Sequence, residues 1–72
     1  MNELIKYDIV LHFKDCSWDR YEVNAAYAGI AGYTAVNIVV SECGNERANQ
    51  IDLIRIYGHN SGELLKEYQV TE

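Results

Sequence analysis

Four residues of this chain have side chains suited to binding a metal or to acting as a nucleophile with its base: His12, Cys16, Cys43 and His59. Two imidazoles and two thiolates would make a tetrahedral zinc set, which normally presents its ligands as two close pairs. Here His12 and Cys16 are four positions apart, but Cys43 and His59 are sixteen apart. His12 with Cys16 is also the pair closest to what nucleophilic catalysis needs, a base beside a thiol, yet a third, orienting group is missing from the pattern. Asp15 and Asp19 could pair as acid and base, but read more simply as salt-linked surface. Gly29-x-x-Gly32 lacks the preceding strand and the lysine of a phosphate loop. A chain of 72 residues also leaves little concave surface for a substrate. The expectation is a protein that is not an enzyme and holds no cofactor, with a small metal-binding domain as the chemical alternative.

The elements that would carry these residues are well marked. Ile5, Tyr7, Ile9, Leu11 and Phe13 alternate with Lys6, Asp8, Val10 and His12, the period of a strand with one buried face. Lys14–Ser17 reads as a turn, and Tyr21 and Val23 then share a face opposite Arg20 and Glu22, which completes a hairpin over about residues 4–24. Trp18 falls on the polar face or in the turn. Asn24 is placed to cap a helix over 25–43, stopped by Gly44-Asn45. The glycines at 29 and 32 and the run of β-branched residues from Val36 leave a rival: a short helix at 25–33 and a strand at 34–41. The long helix is preferred because a two-stranded hairpin needs a cover for its apolar face. Glu46–Gln50 is a polar connection. Ile51–Tyr57 is apolar on both parities, as a central strand would be. After the turn Gly58–Gly62, Glu63–Val70 forms a last strand, with Lys66 protecting an edge. The fold class is α+β: a four-stranded, mostly antiparallel sheet in the order ββαββ, with one helix on one face and the other face open.

Residues 1–72 make one compact domain with a marginal core. A net charge of −5 argues against direct nucleic-acid binding. The start has no basic region followed by an apolar run, so a secretory signal is not expected. The long uncharged segment carries Asn24, Thr34, Asn37 and Ser41 and is flanked by acids, which argues against a membrane span. Cytoplasmic location with free thiols at Cys16 and Cys43 follows.

That segment, Val23 to Ser41, runs nineteen residues without a charge. A soluble helix ordinarily turns charges to water. The outward side of this one, with Tyr27, Tyr33 and Asn37, has the composition of an interface centre. Small residues at Ala25, Ala28, Gly29, Ala31 and Gly32 permit close approach, to the chain's own sheet or to another helix in a homodimer. The expected contact set is Trp18, Tyr27, Tyr33 and Asn37, with Asp15, Asp19 and Glu22 steering towards basic partners.

Trp18-x-x-Tyr21-Glu22-Val23-Asn24-Ala25, the alanine-rich helix, Ile51-x-x-Ile54-Arg55-Ile56-Tyr57 and Leu64-Leu65-Lys66-Glu67-Tyr68 together resemble the small acidic phage and mobile-element proteins of ββαββ layout, such as anti-CRISPR inhibitors. The resemblance spans nearly the whole chain and is one of layout. It implies a non-catalytic protein that binds a bacterial host protein complex, a CRISPR effector for example, and blocks it. The alternative is a structural or assembly subunit acting through homo-oligomerisation. The scattered acids depart from the single run that a nucleic-acid mimic would carry.

Overall fold

The computed structural model describes residues 3–70. Two strands, β1 (Ile5–Phe13) and β2 (Trp18–Ala25), form the expected hairpin. Its turn is closed by Phe13 N–H donating to Ser17 O at 2.9 Å, and its register runs unbroken from Ile5 opposite Ala25 to His12 opposite Trp18. Helix α1 (Ala28–Cys43) follows, then a short helix α2 (Asn45–Ala48), strand β3 (Ile51–Gly58) and strand β4 (Leu64–Gln69). The sheet order is β2-β1-β3-β4, with every neighbouring pair antiparallel. The first and third strands are therefore central and the second and fourth are edges.

The single long helix is present and the rival strand at 34–41 is not. The cap differs from expectation. Asn24 stays in the hairpin ladder opposite Lys6, and Tyr27 takes the cap position in extended backbone, without a side-chain bond to the first turn. Two more residues are needed to lift the chain off the edge strand before it can coil. The stop is where the sequence put it: Gly44 sits at φ 89°, a left-handed position that favours glycine, and its N–H donates to Val40 O. The connection at Glu46–Gln50 is not plain loop, since Asn45–Ala48 makes one helical turn.

The core lies between α1 and one sheet face. Tyr7, Ile9, Leu11 and Phe13 of β1, Val23 and Ala25 of β2, and Ile51 and Ile56 of β3 meet Ala28, Ala31, Ala35 and Val39 of the helix. The helix presents small residues so that it can sit low. A β-carbon added at Gly32 would come within 2.9 Å of the Ile56 δ-methyl, so glycine here is a matter of room. Among the described residues, no polar or charged side chain is fully buried in this layer.

The helix does not cover the sheet evenly. Four strands about 4.8 Å apart are wider than a helix of roughly 10 Å diameter. Residues of β1 and β2 are alternately buried, whereas every residue of β4 is exposed.

Candidate functional site

Three surfaces carry the side chains with functional potential. The first is the open sheet face, where antiparallel registry sets rows across the strands. Trp18, His12, Leu53 and Gln69 make one row; Arg20, Val10, Arg55 and Glu67 the next; Glu22, Asp8 and Tyr57 the third. Asp8 is the hub of the ion pairs here, with only 14% of its side chain exposed. Arg20 lies 3.1 Å from Asp8 and 3.6 Å from Glu22, Lys6 reaches Glu22 at 3.7 Å, and His59 Nδ1 stands 2.9 Å from Asp8 Oδ1. The bond from His59 is the main influence holding the Asp8 carboxyl below its ordinary value; desolvation opposes it, and the Arg20 guanidinium adds to the lowering. On the same face Arg55 Nε donates to Glu67 Oε2 at 2.8 Å, and that bond raises the Arg55 pKa.

Ligand atoms of Asp8, Glu22 and His59 fall within 4.8 Å of one another, the one such set of three found among the described residues. Two carboxylates and an imidazole suit a divalent transition metal in kind. Arg20, however, is interleaved between the two acids and supplies positive charge there. The cluster is complete as an ion network. It is also a different set from the one the sequence suggested: His12 stands two rows away from Asp8, opposite Trp18 and Leu53, and Cys16 and Cys43 are exposed free thiols.

The second surface is the turn end of the hairpin, organised by Arg47 of α2. Its guanidinium carbon lies 3.6 Å from the centre of the Phe13 ring, Nη1 is 3.4 Å from Asp15, and Nη2 is 3.1 Å from Ser17 Oγ and 3.9 Å from Asp19. The Ser17 hydroxyl and its N–H both donate to Asp15, which lowers the Asp15 pKa. Burial raises the Tyr21 phenol, with the Asp19 charge adding to it. Asp15 and Asp19 thus already have a cation of their own.

The third surface is the outer side of α1. Tyr27, Ile30, Tyr33, Asn37 and Ser41 are all exposed there, Tyr33 at 70%. Thr34 turns its hydroxyl inward to donate to Ile30 O at 2.9 Å, so it adds no free donor to the strip. The face is free of formal charge along its length.

The residues anticipated for partner contact are therefore distributed over all three surfaces. Tyr27, Tyr33 and Asn37 share the helix face. Trp18, 59% exposed, and Glu22 lie on the open sheet face, and Asp15 and Asp19 surround Arg47. Ile30 belongs with the helix group and was not anticipated, although its three-residue spacing from Tyr27 and Tyr33 signals it. The Asp8–Arg20–Glu22 cluster was likewise readable in principle, because a turn at Lys14–Ser17 fixes which residues of the hairpin stand opposite. The contribution of His59 was not, since nothing local ties it to Asp8.

Among the described residues, no helix is long and apolar enough to cross a membrane. No protein-family model matches this chain, and neither a curated protein nor a solved structure matches it significantly.

Proposed function

We propose that this protein acts by binding: a non-catalytic inhibitor of the phage or mobile-element kind that docks on a bacterial protein complex, with CRISPR effectors as the target class, and blocks its working surface. The observation that carries this reading is the outer face of α1, where Tyr27, Ile30 and Tyr33 are exposed on a strip free of formal charge. Tyrosine gives a large contact area at low entropic cost and keeps a hydroxyl for water when unbound. Acidic groups off that strip, such as Glu22 and Glu42, would guide approach to a basic partner without lying in the contact. Inhibition would come from occlusion, which needs no reactive group.

Purified effector complexes, assayed for target cleavage with and without the protein, test this. At least one should be inhibited at near-stoichiometric amounts, and Tyr33→Glu should weaken binding about tenfold or more while leaving the circular dichroism spectrum unchanged. Failure of the wild-type protein to bind or inhibit any effector overturns the inhibitor reading. A structural subunit acting through self-association is the second reading, favoured by the uncovered edge strand β4. Tagged protein recovered from its native cells would then bring down untagged copies of itself and no foreign complex.

A further inference from the structure

The free edge of β4 has a directional pattern that selects what can pair with it. Val70 N–H donates to Asp52 O of β3 at 2.8 Å, and Tyr68 and Lys66 stand opposite Ile54 and Ile56 in the same register. In an antiparallel ladder alternate residues turn their N–H and C=O to the same neighbour. Lys66, Tyr68 and Val70 therefore bond inward, and Glu67 and Gln69 present their main-chain groups to solvent. Tyr68 and Val70 are also about 40% exposed, on a strand where no side chain is buried. Such an edge is a template for another strand.

We propose that it pairs with β4 of a second copy, antiparallel, about a two-fold axis at Tyr68. This goes beyond the inhibitor reading and stands or falls separately from it. The choice of a second copy rests on charge and register. A two-fold axis perpendicular to the sheet keeps each residue on its own face, so the axis must pass through a residue position. An axis at Lys66 sets two lysines against each other, and an axis at Glu67 sets two carboxylates against each other; both are penalised. An axis at Tyr68 opposes no like charges. Glu67 stands opposite Gln69 of the other copy, and the two positions exchange four main-chain bonds in all. The Tyr68 rings meet across the axis, and Lys66 lies beside the exposed Val70. Contacts confined to one strand pair fall at the small end of specific interfaces, so the dimer should be weak, on the order of 10–100 µM.

Sedimentation velocity across roughly that concentration range should show the mass rising from 8.2 kDa towards twice that value. In a Cys16→Ser, Cys43→Ser background, single cysteines at three positions report the axis. Tyr68→Cys should form a covalent dimer on mild oxidation at least about fivefold faster than Lys66→Cys or Glu67→Cys, because facing positions without a main-chain bond bring their β-carbons closest. Gln69→Pro removes an outward N–H and spares the ladder to β3, so it should weaken the dimer about tenfold with the spectrum and urea midpoint unchanged. A constant monomer mass overturns the pairing and leaves the edge to a strand of some other protein. Dominant cross-linking at 66 or 67, or a dimer indifferent to Gln69→Pro, overturns it as well.

Discussion

The two edges of this sheet are opposites. At β2 the helix lies close, Val23 and Ala25 are buried, and charge is absorbed locally by Lys6, Arg20, Asp8 and Glu22 above and Arg47 below. At β4 nothing is buried, Arg55 with Glu67 is the strand's one ion pair among the described residues, and the Tyr68 hydroxyl lies 3.7 Å from where a β-carbon on Gly29 of the helix would stand. The same sequence therefore spends its side chains on stability at one edge and leaves them free at the other. What this teaches is geometric. One helix can seal about half of a four-stranded sheet, and the remaining half must be soluble, be paired or be used.

The sharpest way to break the contrast is to make one truncation on both sides of it. Leu11→Ala, at 0% exposure beneath the helix, should cost about 3–4 kcal/mol in urea unfolding. Leu65→Ala, 46% exposed on β4, should cost about 1 kcal/mol or less. Equal losses would mean that the fourth strand belongs to the core after all.

The next effect concerns charge. Asp8 has a folded-state pKa below its ordinary 3.8, so its stabilising contribution is complete above that value and is lost as pH falls through the lower folded one. Asp8→Asn should cost about 1–2 kcal/mol at neutral pH and flatten the stability profile below about pH 4. The groups facing Asp8 are Arg20, Glu22 and His59, so titration of Glu22 must be followed alongside. Parallel wild-type and variant profiles would show that the cluster is ornamental to the β2 side.

The smallest effect lies in the hairpin turn. Cys16 has φ 72°, a left-handed conformation that a β-carbon disfavours. Cys16→Gly should raise stability by about 0.5–1 kcal/mol, read as a shift in urea midpoint. A loss instead would show the thiol makes a contact that outweighs the backbone strain.

Local pattern made most of the architecture legible. Alternation from Ile5 to Phe13 and a four-residue turn define the hairpin, and Gly44 marks the end of the helix without ambiguity. Asn24 misled because its capping propensity competes with a ladder position opposite Lys6, and the ladder prevailed. Burial on β4 was not readable: Leu64, Tyr68 and Val70 look like a half-buried face, but whether they are covered depends on helix placement, which no local signal encodes. The site was legible only in part. Tyr27, Tyr33 and Asn37 follow from helical spacing, whereas Arg47 reaches Ser17, 30 residues back, and His59 reaches Asp8, 51 residues back.

Placing β1 between β2 and β3 also has a kinetic consequence. The hairpin closes over a four-residue turn and should form within microseconds, but Ile9 meets Ile56 across almost two thirds of the chain. Docking of the third strand onto the first then carries most of the loop-closure entropy and is the expected slow step. Destabilising alterations in the early turn should act chiefly on the refolding limb of a chevron plot, whereas those on β4 should speed unfolding alone.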